Sequence, residues 1–284
     1  MSPHQHPIKA IRTANCERKT VKNLGKYSYA IPDVAIHSSP FQQSLMIALA
    51  LVVSPFIITA MTIYTFLMIL APTAIKERLI STAIPLMMTR LEQKTMNQRK
   101  LLLQRVHGKV LDVGAGAGTY LQYCQNASHY VAIEPVQGMH HMIANKAKQA
   151  GFQDFQLTIR SDTFESYDAP PGTFDWIILG NVLCEVHEVQ VTLDKVNHLL
   201  KPGGHVYFSE HLGAPLHSRT RTFQNIINPW WNRISGGCNC NRDSLHAIEG
   251  MASWDVVSWS LHGIKVCGGP MVMGLARKVE VEYD

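Results

Sequence analysis

The stretch Asp112-Val-Gly114-Ala115-Gly116-Ala117-Gly118 is the part of this 284-residue chain whose spacing points most directly to chemistry. It follows a short apolar run, Lys109–Val113, and precedes a segment of helical composition, Thr119–Asn126. A glycine-rich turn between a strand and a helix lets backbone N–H groups approach a polar ligand closely. Glu134 lies 20 residues beyond Gly114, at the end of the next apolar run, where a carboxylate can accept both hydroxyls of a ribose. Together these predict a site for a nucleoside-containing cofactor. The loop lacks the G-x-G-x-x-G register of a dinucleotide site, which makes NAD the second choice.

His211 is the candidate general base, because it stands at the C-terminal end of a predicted strand, where open α/β sheets carry their sites. Glu210 and Glu185 are weaker candidates for the same task. Cys238-Asn-Cys240 with His246 suggests a metal, but one C-x-C without a second pair is a poor zinc pattern, so none is expected. Six widely spread cysteines are expected to be reduced thiols.

These residues need a scaffold, and the hydropathy pattern supplies one. Short apolar runs at Lys109–Val113, Val131–Ile133, Phe155–Ile159, Phe174–Leu179 and Val206–Glu210 read as strands. Helical segments fall at Met139–Ala150 and near Val189–Leu200, the latter ending at the turn Lys201-Pro-Gly-Gly204. Alternating strands and helices imply an α/β fold with a doubly wound parallel sheet.

Four ordered motifs over residues 110–210 resemble class I methyltransferases: D-x-G-x-G-x-G, the acidic end of strand two, Phe174-Asp-Trp-Ile-Ile-Leu, and Leu199-Leu-Lys-Pro-Gly-Gly204. The resemblance implies a Rossmann-like, seven-stranded, mostly parallel sheet that binds S-adenosylmethionine. Asp255–Leu261 and Met271–Lys278 become strands six and seven, an antiparallel closing pair. Asp112, Gly114, Ala115, Gly116 and Gly118 then belong to the cofactor loop, Glu134 with Pro135 to the ribose, and Met139 to the adenine side. Asp162, Thr163 and Phe164 would meet the adenine, and Asn181, Val182 and Leu183 would face the sulfonium. No N/D-P-P-Y element follows strand four, which weighs against amide or exocyclic-amine methylation of nucleic acids or proteins.

Asn181-Val-Leu-Cys-Glu-Val186, Ser209-Glu-His211 and Asn228-Pro-Trp-Trp231 with Gly237-Cys-Asn-Cys-Asn-Arg242 are similar to the membrane-anchored, methyltransferase-like thiol S-methyltransferases. Asn228 and Asn241 replace the acid and the threonine of that family's D-P-x-W…G-C-N-x-T-R pattern. The resemblance, over roughly residues 41–278, implies a small apolar thiol as acceptor. Trp230, Trp231 and Cys184 would line its pocket, under an insertion at about 212–250. A quinone or other lipid acceptor is the enzymatic alternative, and a non-catalytic membrane scaffold the alternative from another class.

Composition frames the rest. Charged residues are 17% of the chain, below the usual ~25%. The deficit sits at 41–75, which holds no Asp, Glu, Lys or Arg. Leu45–Ala71 offers 27 mostly apolar residues against the about 20 that a membrane-crossing helix needs. This predicts a membrane-anchoring segment, with Pro55 leaving a kinked span and a re-entrant hairpin both open. The downstream Lys76, Arg78 and Arg90 weakly place the following domain, 107–284, in the cytosol. The resemblance suggests the endoplasmic reticulum or lipid-droplet surface. Residues 76–106 read as an amphipathic linker helix that lies along the interface, covers a pocket, or simply packs, with Pro85 as a potential break. The net charge of +5 resides mostly in a basic tail, 1–40, so no nucleic-acid partner is expected.

Overall fold

The computed structural model describes residues 62–266 and 269–279, with 55, 59 and 60 ahead of them. The basic tail and the first part of the apolar segment lie outside the described residues. Seven strands form one sheet: β1 (Gly108–Val113), β2 (Ala127–Ile133), β3 (Leu157–Arg160), β4 (Phe174–Gly180), β5 (Leu200–His211), β6 (Trp254–Val266) and β7 (Gly269–Lys278). Their spatial order is β3-β2-β1-β4-β5-β7-β6. Strands β1 to β5 run parallel, and β7 pairs antiparallel with β5 and β6.

The continuous apolar strands follow from burial on both faces. Leu111, Ile177 and Val206 point to one face, packed with Leu193, Val196 and Ile248. These come from α4 (Val189–Leu199) and α6 (Ser244–Glu249). Val110, Ile178 and Tyr207 point to the other, with Leu103 and Ile143. Those belong to α2 (Thr73–Leu103) and α3 (His140–Gln149). The sheet edge that carries the strand C-termini is where Gly114, Glu134, Asn181 and His211 emerge.

Several local expectations change. Thr119–Asn126 forms only a 3-10 turn at Leu121–Tyr123, because these eight residues must also return the chain to β2. β3 begins at Leu157, since Gln153 and Gln156 cap a separate turn over Asp154–Gln156. The Lys201–Gly204 turn is absorbed into the start of β5 as a register shift, with Gly203 at φ 72°.

The linker helix α2 does not break at Pro85; it continues to Leu103. Its C-terminal half is anchored by buried Thr95, Arg99, Leu102 and Leu103, and Ile80 and Pro85 lie over the site cavity. The helix thus packs on the sheet through its C-terminal half and contributes Ile80, Pro85 and Arg99 to the cavity lining. The preceding helix, α1, covers 62–70 of the described residues. Its Met68 is buried and its Tyr64 hydroxyl donates to the Ile234 carbonyl at 2.9 Å, while Ile63, Phe66 and Leu70 are exposed. Among the described residues no helix is long and apolar enough to cross a membrane. The insertion contains α5 (Arg219–Ile234) and α6.

Candidate active site

One cavity of about 1010 Å³ opens at the C-terminal edge of the sheet. Of the residues singled out in the sequence, it collects Gly114, Ala115, Gly116, Glu134, Pro135 and Met139 at one end. Thr163, Phe164, Asn181, Val182, Cys184, His211 and Trp231 line the same cavity.

At the first end the backbone is shaped for a ligand. Gly114 and Gly116 have φ of 63° and 55°, in the left-handed region that favours glycine. A Cβ on Gly116 would meet nothing within 4 Å, so the loop leaves an open cradle there. Glu134 is buried and fixed by two donors: the Gly116 N–H to Oε2 at 2.8 Å and the Val136 N–H to Oε1 at 2.8 Å. Burial raises its carboxyl above the usual range, and the two backbone donors partly oppose that.

Five of the predicted residues do not line the cavity. Asp112 is fully buried beneath the loop, where its Oδ2 accepts from the Tyr130 hydroxyl at 2.6 Å. Burial pushes its carboxyl to about 7. Gly118 is a packing glycine: a Cβ there would sit 3.0 Å from the Ile143 Cα. Asp162 pairs with Arg160 at the surface, at 2.7 Å. Leu183 turns into the core. Trp230 is 40% exposed on the outer side of α5, because adjacent helical residues point about 100° apart.

Arg99 is a residue the sequence did not reveal. It reaches the cavity from α2, over the Tyr120 ring at 5.0 Å, and is nearly fully buried. Its Nε and Nη1 have no hydrogen-bond partner. On sequence it is one more cation on the expected amphipathic linker helix.

The far end of the cavity is held by a clamp. Glu210 accepts the N–H groups of Val182 and Leu183 on one oxygen, at 2.9 and 3.0 Å, and so shapes the turn after β4 from beneath the cavity lining. Asn181 in that turn is left-handed, at φ 60°, a conformation asparagine tolerates. From the insertion, Arg242 donates to the carbonyls of Leu183 and Val186. Asn239 holds the Cys184 carbonyl. Asn228, in place of the acid, accepts from the Cys240 N–H at 2.9 Å and donates to Asn239 at 3.0 Å. Asn241 binds Asn225 at the surface. The Asn228-Pro-Trp-Trp…Gly-Cys-Asn-Cys-Asn-Arg242 segment thus places Cys238 over the turn that bears Cys184.

His211 Nε2 and Cys238 Sγ share a hydrogen bond of 2.8 Å, and the Trp231 indole N–H donates to the same sulfur at 3.4 Å. The neighbouring Cys184, then His211, hold the Cys238 thiol well below its usual range. The bond to Cys238 and burial drive Cys184 the other way. Against the opposing effect of burial, Cys238 raises the His211 imidazole. Glu185 also faces the cavity, and burial followed by the charges of Cys238 and Glu210 pushes it to about 8. Cys240 takes no part: it is buried, with Sγ directed at the Gln224 carbonyl.

A 3-2-1-4-5-7-6 sheet with a glycine cradle after β1 and a buried acid after β2 defines a class I methyltransferase. The chain belongs to the methyltransferase-domain family, which matches residues 88–253. It is 24% identical over 195 residues to the human thiol S-methyltransferase TMT1A, covering 62% of this chain and 80% of that protein. With the rat thiol S-methyltransferase TMT1B the identity is 25% over 171 residues, 60% of this chain and 70% of that one. Among solved structures, the fold is similar to a putative methyltransferase from Bacillus halodurans (TM-score 0.53, 13% identity, 64% of this chain and 98% of that one). It is also similar to the N-methyltransferase NodS from Bradyrhizobium japonicum in complex with S-adenosyl-l-homocysteine (TM-score 0.50, 13% identity, 66% and 87%).

Proposed function

We propose that the protein transfers a methyl group from S-adenosylmethionine to a small apolar thiol at a membrane surface. One observation carries this reading: a single cavity joins a nucleoside cradle to a wall formed by Cys184, Glu185, His211, Trp231 and Cys238. The residues at the cradle fit the cofactor. Gly116 leaves the space a Cβ would fill, Glu134 retains lone pairs for ribose hydroxyls, and Arg99 offers the N–H bonds of two unpartnered nitrogens, Nε and Nη1, to a carboxylate. Met139 and Phe164 supply apolar surface for the base. When bound, the cofactor supplies an electrophilic methyl group on a sulfonium sulfur.

The remaining work is positioning and proton removal. Val182 and Trp231 give the acceptor apolar walls, the first held by the clamped turn after β4 and the second carried by α5. A thiol must lose its proton to become nucleophilic. Glu185 stands at the cavity wall to take it, while His211, engaged by Cys238, acts through that sulfur and not as a lone base. The names of the two thiol S-methyltransferase relatives favour a thiol. The uncharged segment 41–75 and the exposed apolar residues of α1 favour a membrane, with the domain on its cytosolic side.

The test offers labelled cofactor and a panel of thiols, quinones and phospholipids to the full-length protein in lipid vesicles. A methylated thiol is expected. Methylated quinone without methylated thiol overturns the acceptor class. Tight cofactor binding without any product favours a scaffold.

A further inference from the structure

Three metal-ligating side chains converge at the acceptor end of the cavity from three separate parts of the fold. Cys184 comes from the turn after β4, His211 from the end of β5 and Cys238 from the loop after α5. Their sulfur and ring-nitrogen atoms all lie within 4.8 Å of one another, and all three residues are buried while lining the cavity. We propose that Cys184, His211 and Cys238 form a zinc site whose fourth position faces the cavity and takes the sulfur of the acceptor. The metal site stands on these ligands alone; the identity of the fourth ligand rests on the thiol reading above.

The geometry needs little adjustment. Tetrahedral zinc with Zn–S bonds of about 2.3 Å sets its sulfur ligands about 3.8 Å apart. The 2.8 Å contact between His211 and Cys238 opens by under about 1 Å to admit an ion bonded to both. Two thiolates and an imidazole select zinc over magnesium or calcium. Three protein ligands with an open fourth position is the pattern of catalytic zinc, whereas structural sites are closed by a fourth. Supporting bonds are present as well. The Trp231 N–H reaches Cys238, and Asn239 fixes the backbone of Cys184. The C-x-C pair misleads, because Cys238 pairs with Cys184 and neither Cys240 nor His246 joins.

The step balances without a further reactant. The acceptor exchanges its S–H bond for a Zn–S bond, and the proton passes to the Glu185 carboxylate. The sulfur then forms a bond to the methyl carbon as the carbon–sulfonium bond breaks. A neutral thioether leaves, a weaker ligand than the thiolate it replaces.

Full-length protein purified without chelator is tested for bound metal, and then loaded with cobalt(II) for optical spectroscopy. About one equivalent of zinc per chain is expected, with sulfur-to-cobalt charge-transfer bands that shift when a thiol acceptor is added. Cys184→Ala, Cys238→Ala and His211→Asn each lose the metal, whereas Cys240→Ala keeps it. Retained S-adenosylhomocysteine binding verifies that each variant is folded. Absence of zinc and of the cobalt bands in reduced protein overturns the site, as does isolation of Cys184 and Cys238 as a disulfide that binds no metal after reduction. Thiol methylation that survives complete metal removal overturns the substrate role and leaves the thiol reading standing. Bound metal in a protein that methylates no thiol removes that reading and leaves the metal site.

Discussion

Asn239 grips the carbonyl of Cys184 twice, through its backbone N–H at 2.8 Å and its Nδ2 at 3.0 Å, across 55 residues of sequence. The grip ties the insertion to the turn after β4 and so fixes one cysteine against the other. Asn239→Ala removes the side-chain half of it, and with it the bond from Asn228. The expected loss of stability is about 1–3 kcal/mol, read from urea denaturation. Acceptor kcat/KM is expected to fall by about tenfold or more, with cofactor affinity within about twofold of the original. Equal losses at both ends of the cavity would contradict a local clamp.

Arg99 makes opposite predictions for binding and for folding. Its unpartnered N–H groups are a cost in the free protein and an asset to an anionic ligand. Arg99→Met, which keeps the apolar stem, is expected to weaken S-adenosylhomocysteine binding by about 10- to 100-fold, following a charged hydrogen bond of about 1.5–3 kcal/mol. Thermal stability without ligand is expected to hold or rise. Calorimetry that finds unchanged affinity and a lower Tm would make Arg99 a packing residue.

Gly116→Ala separates the cradle from the fold. The new methyl meets no protein atom within 4 Å, so the folded state suffers only the left-handed backbone strain, about 1–2 kcal/mol. Cofactor binding is expected to suffer more, because the methyl occupies the ligand's space. Titration of cofactor against the variant checks this, and a folded variant with intact affinity would place the ligand elsewhere.

Asp112 predicts a pH dependence. Its folded carboxyl is pushed by burial from 3.8 to about 7. An acid raised in this way favours the folded state fully below its unfolded pKa, and that contribution is lost as pH rises toward the folded value. Stability of the ligand-free protein is therefore expected to decline between pH 4 and 7, by about 1.4 kcal/mol for each unit of elevation. Asp112→Asn keeps the partner for Tyr130 and is expected to flatten that decline. Denaturation midpoints across the range provide the measurement, and an identical slope in the variant would assign the effect to other groups.

What the sequence determined by itself is whatever depends on local backbone chemistry. The glycine turn, the acid that follows β2, the buried strands and their parallel direction are each legible in short stretches of chain, through turn composition, apolar runs and the alternation of strand with helix. The mistaken readings had the same local origin. Pro85 is a potential break by its local chemistry, yet α2 runs through it, anchored by distant contacts of its C-terminal half. Asp112 was read as a ligand contact where the turn buries it.

Only tertiary structure decided the Cys184–His211–Cys238 end of the cavity and the place of Arg99. His211 and Cys238 meet across 27 residues, Cys184 joins from a third segment, and Arg99 arrives from a helix ahead of the first strand. No periodicity links such positions. They are neighbours because sheet order brings the ends of β4 and β5 together and the insertion folds back over them.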